Sequence, residues 1–314
     1  MADVPKRHSL SSDGRLSAII SERGAALVGL AWRTEENERQ LVLDPDIEEY
    51  DRDSDLAYVG AVCGRVCGRI PNGRYKCTDG SEIQLELNEG EHHLHGGGAG
   101  ALSRLNWQVE EKTEDSIRMG VISPAGSEGY PGTFSASITY SLGENRLQVD
   151  LYATCDEPCP INLTLHPYFN LCAEKARPIG HHSLHLNSDK ICQLNSMLIP
   201  SGEIHSVAGT RDDFQTMQEI GDHGLDTIYC VPRHSTSAIL KSPEGDLTLA
   251  VTGDHDTLVV YDGAGLPEAL RARGGGICLE PQGKPLAFLG TRSEQPAKVP
   301  WKMSFEYAVL GPSN

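Results

Sequence analysis

Hydrophobic residues alternate along much of this chain. Phe134, Ala136, Ile138, Tyr140 and Leu142 occupy every second position, with small or polar residues between them. Leu147, Val149, Leu151 and Ala153 repeat the period, and the intervening GENR supplies a hairpin turn. Near the end, WKMSFEYAVL puts Trp301, Met303, Phe305, Tyr307 and Val309 on one face. A period of two marks a strand with one face buried. The same reading expects strands over 16–20, 26–32, 83–87, 106–110, 116–122, 183–186, 237–240, 247–252, 258–261 and 276–280. Helical periodicity is scarce, and one short helix is expected over 212–220. The 33 glycines and 18 prolines are spread over the connections, so no linker stands out. No internal repeat is visible. Many strands parted by turn residues predict an all-β fold, a large antiparallel β-sandwich, with residues 1–314 as one domain.

Charge narrows the partners. Lys and Arg number 27 against 44 Asp and Glu, a formal net charge of −17. Such a chain is repelled by nucleic acid and by anionic lipid. No apolar run approaches the ~18 residues of a spanning helix, and MADVPKRHSLSSDGRL lacks the apolar stretch of a signal peptide. A cytoplasmic location is therefore expected. The nine cysteines are odd in number and several lie inside strand-like runs, which suits reduced thiols. Cys63 with Cys67, and Cys155 with Cys159, are spaced by four rather than as CxxC, and no second pair completes a zinc site.

Several groups carry candidate chemistry. His93 and His95 in EHHLHGGG would share a strand face, but two imidazoles with no carboxylate or thiol partner make a weak metal site. GHHSLH, with His181, His182 and His185, reads as solvated surface. The runs 96–98 and 274–276 are glycine, but neither forms a phosphate-loop pattern; they let backbone turn sharply or approach a ligand closely. Arg65, Arg69 and Arg74 crowd ten residues of an acidic protein, so one of them is expected to point into a site, where a guanidinium fork suits vicinal hydroxyls. Glu280 closes the apolar run GGGICLEPQ, and Gln282 shares its face. His166 stands before Pro167, which holds its backbone extended. A lone histidine there is more often a satisfied core group. Paired with a carboxylate it becomes half of a general acid–base couple.

These blocks together resemble the aldose 1-epimerase family, the galactose mutarotases. YVGAVCGRVCGRIPNGRY (58–75), LNEGEHHLHGG (87–97), SPAGSEGYPG (123–132), NLTLHPYFNL (162–171), LIPSGEIHSVAGTRDDF (198–214), HGLDTIYCV (223–231) and GICLEPQGKP (276–285) follow in the family's order. The resemblance implies an open sugar cleft on a supersandwich, no metal or organic cofactor, and interconversion of the α and β anomers of free aldoses such as galactose or glucose. It implies Glu280 as base and His166 as acid, with Arg69, His95, Asp226 and Gln282 holding the sugar. The implied partner is a free monosaccharide, with no nucleic acid or membrane, and the assembly a monomer or homodimer. Two alternatives stay open: a hexose-6-phosphate mutarotase, for which Arg65, Arg74 and Arg104 are the nearby cations, and a sugar-binding protein without catalysis. Leu165 precedes the histidine where many relatives have asparagine, and Pro281 follows Glu280 where threonine is common.

Overall fold

A computed structural model describes residues 5–34, 37–45, 56, 58–174, 177–222, 224–288 and 294–311. His223, at the head of the HGLDTIYCV block, and residues 1–4 of the N-terminal stretch lie outside them.

Two antiparallel sheets carry the fold. The larger orders nine strands as Gln108–Lys112, Ser116–Ser123, Phe134–Leu142, Arg146–Cys155, Trp301–Leu310, Thr248–Gly253, Ser235–Lys241, Ser183–Leu186 and Gln218–Glu219. The smaller orders six as Tyr168–Phe169, Ile277–Gln282, Thr257–Tyr261, Asp226–Cys230, Lys190–Leu194 and Pro200–Ser206. A four-stranded sheet, Arg7–Ser11 to Glu38–Gln40, adds an N-terminal layer.

The alternation seen in the sequence is what lets the large sheet bury one face. The hairpin 134–155 pairs Phe134 with Cys155 and Leu142 with Leu147, so its apolar residues share one side. The C-terminal strand then inserts between Arg146–Cys155 and Thr248–Gly253, and Met303, Phe305, Tyr307 and Val309 are buried with them. Each such large side chain contributes about 1.5–3 kcal/mol by leaving water. The two sheets meet where Phe169 packs on Tyr307, ring centroids 4.9 Å apart, and where the Tyr307 hydroxyl donates to the Leu279 carbonyl at 3.2 Å.

The structure departs from the sequence pattern in two places. Residues 212–220 form turns and a short strand, Gln218–Glu219, not a helix. Thr210 Oγ1 accepts from the Asp212 N–H, and Asp213 Oδ1 from the Gln215 N–H; such side-chain bonds compete with helical ones. The GHHSLH cluster is not all solvated. His182 is fully buried, its Nε2 accepting the Leu171 N–H at 2.9 Å and its Nδ1 lying 3.1 Å from the Ile179 carbonyl oxygen. Among the described residues no helix is long and apolar enough to cross a membrane.

Burial holds the imidazoles of His182 and His255 down to about 4. The unfolded chain takes up these protons near pH 6.5 while the folded chain refuses them until about 4. Stability should therefore fall as pH drops from about 6.5 toward 4, by up to about 1.4 kcal/mol per pH unit for each group. Urea midpoints at about pH 7.5 and about pH 5 check this, and a His182→Gln or His255→Gln variant should show a shallower decline. Equal midpoints in the parent would refute it.

Candidate active site

One face of the smaller sheet is the floor of a cleft of about 480 Å³. Alternate residues of three adjacent strands reach it: Glu280 and Gln282, Val259 and Tyr261, Asp226 and Ile228. The register sets Val259 opposite Glu280 and Asp226 opposite Tyr261, so these side chains form a continuous surface. Residues between them, such as Leu258, Val260 and Leu279, are fully buried in the core. The period of two thus separates core from cleft within single strands.

His166 arrives from a different segment. Its N–H donates to the Ala61 carbonyl at 3.0 Å and its carbonyl accepts from Gly60 at 2.8 Å, which pins the backbone on both sides. Pro167 follows and keeps this backbone extended. Leu165, the departure from the family pattern, is fully buried and pairs with Val62, so it packs behind the histidine. The ring is held from two sides. Nε2 lies 3.3 Å from Glu280 Oε1, and Nδ1 lies 3.3 Å from Cys278 Sγ. Gln282 Nε2 donates to Glu280 Oε2 at 3.2 Å. His166 is thus both buried and in contact with a carboxylate.

Both partners are almost shut off from water, with side-chain exposures of 6% for His166 and 2% for Glu280. Burial pushes the Glu280 carboxyl well above the usual carboxylate range, and the Asp226 charge adds to that. Burial lowers the His166 imidazole to about 4. Each group alone is thus pressed toward its neutral form. The 3.3 Å contact acts the other way and favours carboxylate with imidazolium. Carboxyl with imidazole and carboxylate with imidazolium each hold a single proton and carry no net charge.

Around this pair stand the groups of the rim. Arg69 sends Nε and Nη2 to Glu89 at 2.7 and 2.9 Å, a two-pronged ion pair, and its Nη1 lies 3.8 Å from Asp226 Oδ2. Burial raises the Asp226 carboxyl, against the opposing pull of Arg69. His95 sits 5.4 Å from His166 and 4.8 Å from Tyr58, ring to ring, and Tyr58 itself lies 6.5 Å from His166, so the three rings form a cluster. Gly68 donates its N–H to His95 Nδ1 at 3.3 Å. Burial, His166 and Arg69 all hold the His95 imidazole well below its usual range. A neutral ring that accepts at Nδ1 carries its proton on Nε2, so His95 offers a donor to the cleft. Burial pushes the Tyr58 phenol up to about 12, which keeps it a neutral hydroxyl.

All six residues singled out from the sequence line this one cleft: Glu280, His166, Arg69, His95, Asp226 and Gln282. The three arginines separate. Arg69 faces the cleft, while Arg74 is exposed and bonded to Gln84 and Glu82. Arg65 is buried; it donates to the carbonyls of Ser123, Pro124, Pro131 and Gly132 and lies over the rings of Tyr130 and Phe134. It fixes the SPAGSEGYPG loop and is not a sugar ligand.

His93 and His95 do not point one way. His93 is buried between the Glu86 carbonyl at 2.6 Å and the Tyr130 hydroxyl at 2.9 Å. The turn begins at His95 itself, whose φ is +51°. The glycines after it approach the chain's own atoms rather than a ligand. A Cβ on Gly96 would lie 1.8 Å from the Gly64 carbonyl oxygen, and one on Gly97 would lie 2.2 Å from Glu128 Oε2. Glu128, on the Arg65-held loop, accepts the N–H groups of Gly98 and Gly100 at 2.7 and 2.5 Å. Glu89, Tyr58 and Glu128 went unnoticed in the sequence because only the fold brings them beside Arg69, His95 and the glycine turn. The residue pairs 89/69 and 128/98 lie 20 and 30 positions apart.

A profile of the family described as aldose 1-epimerase matches residues 6–289. The aldose 1-epimerase of Haemophilus influenzae is 30% identical over 294 residues, covering 87% of this chain and 85% of that protein. The galactose mutarotase of Homo sapiens is 32% identical over 246 residues, covering 73% and 71%. Among solved structures, a GalM/aldose epimerase homologue from C. elegans superposes with a TM-score of 0.89 over 98% of this chain and all of that one, at 23% identity. Galactose 1-epimerase from Lactobacillus acidophilus gives 0.85 over 98% and 95%, at 24% identity. These two carry the likeness of fold, and the supersandwich expected from the sequence is the one observed. On a sequence match that spans most of its length, this chain belongs to the aldose 1-epimerase family and is an isomerase.

Proposed function

We propose that the protein interconverts the α and β anomers of a free aldose, galactose or glucose being the first candidates, with Glu280 as base and His166 as acid. The observation that carries this reading is the buried 3.3 Å contact between His166 and Glu280 on the floor of a cleft rimmed by hydrogen-bonding side chains.

In the carboxylate–imidazolium form, Glu280 takes the proton of the anomeric hydroxyl and His166 gives its proton to the ring oxygen. The C1–O5 bond breaks and an open-chain aldehyde remains. The pair is left as a neutral carboxylic acid and a neutral imidazole, which burial favours. Rotation about C1–C2 presents the other carbonyl face. Reclosure returns the proton from Glu280 to O1 and withdraws one from O5 through His166. The ion-pair contact stabilises one end of this cycle and burial the other, so neither form is a deep trap. Each proton transfer typically contributes about 10²–10⁴-fold, and fixing the ring adds to that. His95 Nε2–H and the Arg69 guanidinium donate toward the sugar oxygens, and Asp226 accepts from a hydroxyl.

A phosphorylated sugar is the weaker reading. Of the three arginines first considered for a phosphate, Arg65 is buried in a loop clamp and Arg74 lies outside the cleft, leaving Arg104 on its wall. Arg69 is already engaged by Glu89 and Asp226. Equal rates on glucose and its 6-phosphate, or faster ones on the phosphate, would reverse this order. Binding by calorimetry with no effect on rate would favour a sugar-binding role instead.

Polarimetry on freshly dissolved α-sugar tests the main reading. Glu280→Gln and His166→Asn should each lose at least about 10²-fold in rate while remaining folded by circular dichroism; parental rates in both would overturn the roles. Glu89→Gln removes half of a charge-assisted fork worth about 1.5–3 kcal/mol, so Arg69 loses its aim. KM should rise about tenfold with a smaller change in kcat, and an unaltered KM would show that Arg69 does not hold the sugar.

A further inference from the structure

Part of the cleft lining is apolar: Leu194, Leu198 and Pro200 on one hairpin, and Pro285 and Leu286 after Gln282. The hairpin joins the strands Lys190–Leu194 and Pro200–Ser206, which pair Leu194 with Pro200. Side chains hold the turn at its tip. Asn195 Oδ1 accepts the N–H groups of Met197 and Ile199 at 2.9 and 3.1 Å. The Leu198 N–H donates to the Asn195 carbonyl at 2.9 Å, and the Asn195 N–H to the Ile199 carbonyl at 3.0 Å. The tip is also tethered. Asn72 donates its N–H to His92 Nδ1 at 3.2 Å, so the His92 ring carries a proton on Nε2, which lies 3.4 Å from Met197 Sδ. The hairpin thus reaches from the smaller sheet, where it is rooted, to the 87–97 block that carries Glu89 and His95.

Leu198 is the unexpected residue in this turn. Its φ is +58°, in the left-handed region that leucine rarely adopts and that glycine or asparagine takes readily. Its side chain does not answer to the core. Among the described residues, Leu194 and Leu198 belong to neither of the two apolar clusters. Strained backbone persists where its surroundings hold it, and such positions gather at ligand sites. The apolar surface so held lines the cleft.

We infer that Leu198 is a further sugar-contact residue, covering a C–H face of the aldose ring, with Asn195 as the positioning residue that aims it. The ligand in this inference rests on the proposed mutarotase reading. A pyranose presents hydroxyls around its rim and patches of C–H on its faces. Arg69, His95, Asp226 and Gln282 offer partners to the hydroxyls, and the leucine suits the C–H patch. A hydroxyl turned toward Leu198 would lose water and gain no partner, so the side chain also selects against sugars that place one there. The contact is the same in the bound sugar and in its transition state, so it acts on KM rather than on kcat.

Polarimetry on galactose and glucose, beside thermal melts, tests this. Glycine fits the left-handed φ, so Leu198→Gly should hold or raise Tm. Its KM should rise about five- to tenfold, with kcat within about twofold of the parent. Asn195→Ala should raise KM in the same direction. Asn195→Asp, which keeps the accepting oxygen, should keep the parental value. A parental KM in folded Leu198→Gly overturns the contact, whatever happens to Tm. A parental KM in Asn195→Ala overturns the positioning role. Should Leu198→Gly fail to fold, Leu198→Asn makes the same comparison, since asparagine also tolerates this φ. Calorimetric titration with both sugars separates the contact from the enzymatic reading. If the parent binds a sugar without turning it over, the mutarotase reading falls; weaker binding by Leu198→Gly then still supports the contact, and equal binding overturns it. A parent that binds neither sugar overturns both.

Discussion

A carboxyl and an imidazole 3.3 Å apart, both withdrawn from water, are the arrangement on which the rest of this molecule depends. Burying a charge is costly unless it is paired, and burying a pair is costly unless the geometry is held. The nine-stranded sheet supplies the backing. Tyr307 reaches across from it to the carbonyl of Leu279, the neighbour of Glu280, and packs on Phe169, three residues beyond His166. The apolar face of one sheet thereby fixes the polar face of the other. A loosened core would let water in, screen the pair and remove the balance that burial and contact strike between its two proton states.

The rim is held by a different device. Arg65 gathers four carbonyls of the 123–132 loop, and that loop presents Glu128 to the backbone N–H groups of Gly98 and Gly100. The glycine turn so fixed carries His95 into the cleft, while Tyr130 of the same loop holds His93. A cation that the sequence offers as a ligand acts instead as the anchor of a loop. Glu89 does for Arg69 what Glu128 does for the glycine turn: it spends a carboxylate on aiming a neighbour.

Acidity, read from composition as a reason to exclude nucleic acid and anionic lipid, has a local counterpart. Glu89, Asp226 and Glu280 all line the cleft, with Arg69 balancing the first two. A neutral polyol finds donors and acceptors there without the strongly positive potential that a phosphate needs.

The sequence by itself determined which residues face the core. Alternation in 134–142, 146–155 and 301–310 needs no tertiary information, because successive side chains of a strand point to opposite faces wherever it is placed. For the same reason Glu280 and Gln282 could be set on one face, and the resemblance brought His166, Arg69, His95 and Asp226 together with them. Short-range polar competition was not legible in this way. The turns at 212–217 and the buried ring of His182 depend on side-chain bonds that hydrophobic period does not encode. Only the tertiary structure decided which of three arginines meets the cleft, which carboxylates aim them, and that Cys278 touches His166. The physical reason is that those contacts join segments 20 to more than 100 positions apart, and the sheet register that closes such distances is set by the packing of the whole core.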